Sequence, residues 1–157
     1  MWYAGSFAIG TLAGLAGLLV VLRRFTAFDR PAERWPYAIF FVGMLLTAAG
    51  SADYHLAPDN ERLFWDRLPM TVGFMGLFVA LLAEDVHQRL ERLLLVPGLA
   101  TGVASVLWWQ ATGDLRWYFW VQFGPLACLP LVLALYPARF THRLHLLYAL
   151  GLYVLAK

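Results

Sequence analysis

The chain has 157 residues, of which 61% are hydrophobic and 14% charged, and its mean hydropathy is +0.64. A soluble chain of this size would have too few polar side chains to cover its surface, so the composition excludes an ordinary soluble domain and indicates a membrane as the solvent. The formal net charge is only +2 and the arginines are scattered, which argues against nucleic acid as a partner.

Five long runs without charged residues predict membrane-spanning helices at 1–22, 35–52, 68–83, 93–113 and 117–138. A span needs about 20 mostly apolar residues, a length that the third run reaches if it begins near Phe64. A sixth run begins around Phe140 and is apolar from Leu146 to Ala156, a length that is barely enough for a span. No alternating ten-residue pattern suggests a barrel. The sequence therefore predicts an all-α fold, a polytopic bundle of six transmembrane helices forming one domain over residues 1–157.

Short connections separate these runs, and their arginines are distributed unequally. The first, third and fifth connections contain most of the arginines, whereas the second and fourth contain Arg62, Arg67 and Arg116. Because positive residues favour the cytoplasmic side, the odd-numbered connections are expected to face the cytoplasm. The amino terminus is then expected outside.

Several residues within the runs bear on packing. Gly-x3-Gly pairs at 10–14 and 98–102 predict close approach of helices. Pro125 and Pro130 should kink the fifth helix, either shaping the bundle or opening a cavity. Cys128 is expected to pack in its apolar surroundings.

One polar cluster stands out at the end of the second run and the start of the third. Ser51 and His55 are four residues apart and share a helix face, whereas Asp53 points the opposite way. After a predicted connection at 55–63, the next helix brings Asp66 to the same depth in the membrane as Ser51 and His55. Ionisable groups in a membrane helix are costly, so the three together predict a polar pocket.

Each of these residues also has a plain structural interpretation. Ser51 could bond the carbonyl one turn back in its own helix, and His55 could be an interfacial residue. Asp66 could cap the third helix, with Pro69 tolerated in its first turn. The remaining acidic residues of this region are interpreted as solvated: Asp53, Asp59 and Glu61.

The stretch GSADYHLAPDN at 50–60, followed by WDRLPM at 65–70, resembles the bacterial members of the alkaline ceramidase family. That family belongs to a wider group of seven-helix membrane hydrolases, which includes the progestin and adipoQ receptors. The resemblance implies that His55 is a zinc ligand, that Asp66 handles protons and that Ser51 holds the water or the oxyanion. It also implies a ceramide-like lipid substrate and an integral protein of a bacterial inner membrane.

The sequence departs from the family pattern at its end. The seventh helix and its His-x3-His motif are not found before Lys157, so the other two zinc ligands are expected on a helix missing from this chain. His142 and His145 have a spacing suited to one helix face, but they and His87 fall at the opposite side of the membrane from His55. The chain is expected to be truncated at its C-terminus, either as a fragment of an active enzyme or as a naturally short, inactive relative.

The expected function is therefore a zinc-dependent membrane amidohydrolase of the ceramidase type, incomplete or inactive as this chain. Zinc would activate water for attack on a lipid amide, with Asp66 as the proton carrier and Ser51 as the oxyanion donor. The alternative is a receptor-like or scaffold membrane protein of the same fold without chemistry. A small transporter, for which Gln122 is the main candidate residue, is the least favoured.

Overall fold

The computed structural model describes residues 2–23, 28, 30–136, 145–148 and 151, with only the backbone for residues 2–6. Within this part of the chain there is no β-strand, so the expected all-α class is confirmed. Its long helices follow in order: α1 (Trp2–Arg23), α2 (Arg34–Leu56), α3 (Asn60–Asp85), α4 (Leu90–Thr112) and α5 (Arg116–Leu135).

Helices α2 to α5 are each long enough and apolar enough to cross a membrane, and Phe7–Arg23 within α1 forms a shorter apolar helix. Their outer surfaces expose large apolar side chains, such as Leu46, Val96, Trp120 and Leu131. Such surfaces suit hydrocarbon, in which helices satisfy their own backbone hydrogen bonds. The chain is an integral membrane protein.

Each of the first five predicted spans overlaps one helix. Of the sixth span, residues 145–148 and 151 are helical and the remainder lies outside the described residues, so the six-helix count stays a prediction. The expected packing of Cys128 is wrong, since this side chain is exposed on α5.

The connection between α2 and α3 is shorter than predicted, because it spans residues 57–59 and not 55–63. The reason is a helix cap at Asp59, whose carboxylate accepts a hydrogen bond of 2.7 Å from the backbone N–H of Arg62. The guanidinium of Arg62 also lies 3.6 Å from the carboxylate of Asp53 and 3.5 Å from that of Asp59. The capping role considered for Asp66 is therefore wrong, since Asp59 begins the helix.

The position expected for Pro69 is also wrong, because this residue lies in the interior of α3 and not in its first turn. A proline there has no N–H for the carbonyl one turn back, which belongs to Trp65. That carbonyl lies against α2, where a Cβ added to Gly50 would be 2.5 Å from its oxygen. Pro69 leaves this carbonyl without its usual helical donor, and Gly50 leaves room for it at the α2–α3 contact.

Glycines bring the backbones of α2 and α3 together over most of their length. A Cβ at Gly43 would lie 2.6 Å from the Cα of Gly73, and one at Gly76 would lie 2.9 Å from the carbonyl oxygen of Pro36. The two Gly-x3-Gly pairs lie at other helix contacts: the pair at 10–14 in α1 packs on α2, and the pair at 98–102 in α4 packs on α3. Helix α3 is central, since it also contacts α4 and α5, while α1 packs on α2.

Polar contacts join the helices at the end of the bundle that carries the α3–α4 connection. The guanidinium of Arg30 lies 3.3 Å from the carboxylate of Glu91, which is only 2% exposed at the start of α4. The hydroxyl of Tyr37 in α2 donates a hydrogen bond to the carboxylate of Glu84 in α3. Charged and polar side chains therefore stabilise this end, whereas glycines form the contact along the helices.

We expect Gly43→Ala to destabilise the bundle by about 1–3 kcal/mol, because the added methyl group must push α2 and α3 apart. Thermal unfolding of the detergent-solubilised protein measures the effect. Gly124→Ala is the matched control, since a Cβ there would meet no described atom within 4 Å. Equal melting temperatures for the two variants would contradict the close backbone contact.

Candidate functional site

A cavity of about 550 Å³ lies inside the bundle, between α2 and α3 on one side and α5 on the other, with α1 closing part of its wall. Its lining is almost entirely apolar and includes Phe40, Met44, Phe74, Phe78, Leu126 and Leu129. Pro125 is buried and also lines it, whereas Pro130 is exposed. Of the two roles considered for these prolines, Pro125 is thus associated with a cavity.

Two hydroxyl side chains of α2, Thr47 and Ser51, lie in this apolar wall. The Thr47 hydroxyl donates to the carbonyl of Gly43 at 2.8 Å, so its proton is already used within the helix. The Ser51 hydroxyl has no hydrogen-bond partner among the described residues. The plain interpretation of Ser51 as a residue that bonds the preceding turn is therefore wrong.

Ser51 differs in this respect from the other serine and threonine side chains that the structure describes. Each of the others donates to a carbonyl of its own helix, three or four residues back, at 2.7–2.9 Å: Thr11, Thr47, Thr71, Thr101, Ser105 and Thr112. Such a bond satisfies a hydroxyl within its own helix. Ser51 instead keeps its donor available to a molecule in the cavity.

His55 lies one helical turn beyond Ser51 on the same side of α2, and it is not among the residues that line the cavity. Its side chain is exposed, and its ring centroid is 5.8 Å from that of Phe7 and 5.7 Å from that of Tyr54. Phe7 also lines the cavity, so this ring lies between the imidazole and the apolar interior. His55 is thus exposed beside one residue of the cavity wall.

Asp66 is half-buried on α3 and lies beside the second helix at the level of Ser51. A Cβ at Gly50, the residue before Ser51, would be 3.1 Å from the Cα of Asp66. Asp66 also shares a face of α3 with Met70 and Gly73, four and seven residues later, and both of these line the cavity. The backbone therefore places Ser51 and Asp66 on neighbouring helices, and of the three predicted site residues Ser51 alone lines the cavity.

Among the described residues, no group of three His, Cys, Asp or Glu side chains lies close enough to hold one metal ion. His55 is thus a single donor there and does not by itself fit a zinc ion, which takes at least three protein ligands. His142 lies outside the described residues, and His145 is exposed. The zinc ion stays a prediction of the resemblance.

Sequence reasoning missed Arg67, which it assigned to a connection between helices. The residue lies within α3, and its guanidinium carbon is 4.8 Å from the ring centroids of both Trp109 and Tyr118. Its Nη1 atom is buried without a hydrogen-bond partner among the described residues. Two aromatic faces thus hold this cation, and the one sequence signal was the presence of aromatic residues on the following helices.

Gln122, the residue considered for a transporter, is buried between α5 and α3. Its amide nitrogen is 3.7 Å from the sulfur of Met70, and the hydroxyl of Tyr118 is 3.6 Å from the same sulfur. Since Met70 lines the cavity, these contacts define how α5 packs beside it.

No family model, curated protein or solved structure matches the chain. The resemblance to the alkaline ceramidases stays a prediction from the residues of the two motifs.

We expect Arg67→Lys to lower the stability of the bundle by about 1 kcal/mol, because a lysine keeps the charge but loses the planar stacking on two rings. Thermal unfolding followed by tryptophan fluorescence checks this. Arg92→Lys is the control, since Arg92 is exposed. A melting temperature that is unchanged in Arg67→Lys would show that the two ring contacts contribute nothing.

Proposed function

We propose that this protein binds a membrane lipid by its acyl chain in the cavity and hydrolyses the amide of that lipid at the Ser51 end. It would then be a zinc-dependent amidohydrolase of the ceramidase type, acting on a ceramide-like lipid. The observation that carries the proposal is the Ser51 hydroxyl, which lies in an otherwise apolar wall and donates to none of the described residues.

The size and lining of the cavity support a lipid chain as its occupant. Its volume of about 550 Å³ is within the range of small-molecule sites. Because lipid tails are as apolar as the leucines of the wall, moving a tail from the bilayer into the cavity gains little free energy. The cavity thus positions the chain, and the selectivity must come from polar contacts at the Ser51 end.

The three predicted site residues have chemistry that suits amide hydrolysis. The Asp66 carboxylate would accept a proton from the attacking water and pass it to the leaving amine. The Ser51 hydroxyl would donate a hydrogen bond to the carbonyl oxygen as it gains negative charge. His55 is the zinc ligand in this proposal, and the remaining ligands would lie on a further helix, as the resemblance implies.

The orientation of the bundle belongs to the same proposal. Arg30, Arg34, Arg89 and Arg92 lie at or beyond the helix ends opposite Ser51. With these arginines in the cytoplasm, the amino terminus and the Ser51 end face outside. The membrane would be a bacterial inner membrane.

A second candidate is a receptor-like or scaffold protein that binds the lipid without cleaving it. The observation in its favour is the environment of His55, whose imidazole packs beside the rings of Phe7 and Tyr54 at an exposed position. Both candidates require the lipid in the cavity, and they differ only in whether fatty acid is released.

The first test is binding of a ceramide with a photoactivatable acyl chain to the purified protein in vesicles. We expect crosslinks on the α2, α3 and α5 residues that line the cavity, and a several-fold loss in Ser51→Leu, since leucine fills the end of the cavity and removes the donor. Thr101→Leu, on the exposed side of α4, is the control. Equal labelling of the two variants would contradict lipid binding at Ser51.

The second test separates the two candidates by release of fatty acid from the same ceramide. In a version of the protein that carries the remaining zinc ligands, we expect Asp66→Asn to reduce hydrolysis by at least about 100-fold, as loss of a proton carrier does, with little change in bound zinc. Asp53→Asn is the control, because this carboxylate is exposed and pairs with Arg62. A loss of zinc in Asp66→Asn would instead make Asp66 a ligand, and binding of ceramide without release would favour the receptor-like protein.

A further inference from the structure

A second cavity, of about 450 Å³, opens between the start of α3 and the end of α4. It is lined by the rings of Phe64, Trp65 and Trp109 and by three polar side chains, Asn60, Glu61 and Gln110. Its α3 residues lie on the opposite side of the helix from Met70 and Gly73, which line the first cavity. The two cavities are therefore separate sites.

The aromatic rings give this second cavity the character of an aromatic cage. Phe64 is buried and its ring centroid lies 5.2 Å from that of Trp65, with the two planes almost perpendicular at 84°. Trp65 is 56% exposed, so its ring is available to a ligand. The faces of such rings carry negative electrostatic potential, which attracts a cation placed within about 6 Å of them.

Glu61 supplies the acidic side chain of this lining. Two arginines that lie close to lining residues in the sequence pair with other carboxylates. Arg62 lies 3.6 Å from Asp53 and 3.5 Å from Asp59, and Arg116 lies 2.8 Å from Asp114. Within the described part of the chain, Glu61 itself makes no ion pair. The start of α3 carries a positive partial charge and the end of α4 a negative one, and at this cavity the two offset each other. The negative charge of the Glu61 carboxylate therefore favours a cation as the ligand.

Arg67 determines which rings are open to such a cation. Its guanidinium lies 4.8 Å from the ring centroid of Trp109, so it holds that indole in place and repels a second cation from the face that it covers. The rings of Phe64 and Trp65 adjoin Glu61 in the sequence and in the lining. A positively charged ligand is therefore expected on the Trp65 side of the cavity.

We propose that this cavity binds a methylated ammonium group, as in choline. A quaternary ammonium has no N–H to donate, so aromatic faces and one nearby carboxylate suit it better than a site of many hydrogen-bond acceptors would. Glu61 contributes the charge, and Trp65 contributes the exposed ring.

The position of the cavity favours an interfacial ligand. Its residues lie at the ends of two membrane-spanning helices, where tryptophans are typical of the interface between lipid and water. The group could therefore come from the headgroup of a choline lipid or from a small soluble molecule. The proposal does not rest on hydrolysis or on binding of lipid in the first cavity.

The test is titration of choline chloride into the 157-residue protein in vesicles of phosphatidylglycerol, followed by saturation-transfer NMR of the choline methyl protons. We expect saturable binding that is weakened about fivefold or more in Glu61→Gln and in Trp65→Leu. Glu33→Gln and Trp120→Leu are the controls, because they remove an acidic group at the other end of α2 and an exposed indole outside the cavity. We expect both controls to bind choline as the original chain does.

Three outcomes would overturn the proposal: no saturable binding, equal weakening by the control variants, or ethanolamine binding as tightly as choline. Glu61→Gln keeps the test valid if Trp65→Leu does not fold, since Glu61 is exposed. Vesicles that contain phosphatidylcholine then identify the source of the group. Loss of choline binding in them would assign the site to a lipid headgroup, and unchanged binding would assign it to a soluble ligand.

Discussion

The contact between α2 and α3 brings backbone atoms of the two helices together, and the first cavity has both helices in its wall. Gly43 allows the two helix axes to approach until a methyl group on this residue would lie 2.6 Å from the Cα of Gly73. Without a hydrophobic driving force between helices in lipid, such close packing is a main source of attraction. The same contact sets the depth at which Asp66 returns beside Gly50.

This arrangement explains why polar groups are found at the Ser51 end and apolar groups along the rest of the first cavity. The glycines make the middle of the α2–α3 contact narrow, and α5 lies across the space beside it, held to α3 through the sulfur of Met70. Ser51 lies in the cavity wall, and His55 lies one turn beyond it on α2. A molecule with one long apolar part and one polar group would match this distribution.

The helices could be predicted from the sequence better than their ends could. The apolar runs are long enough to indicate the five long helices that the structure describes, but the cap at Asp59 depends on one hydrogen bond that hydropathy does not register. The shared face of Ser51 and His55 followed from helical periodicity. The Ser51 hydroxyl that bonds no described residue and the two rings around Arg67 could not be predicted, because both depend on side-chain conformations and on contacts between helices distant in sequence.

The space between α2 and α5 has a thermodynamic consequence. Helix α5 packs on α3 and α4, and on its side toward α2 it faces the first cavity, so an occupant there would bridge two walls that share few contacts of their own. A molecule that binds only the folded state raises the free energy of unfolding as its concentration rises. Removal of such an occupant would then loosen α5 before the helices that the glycines hold together.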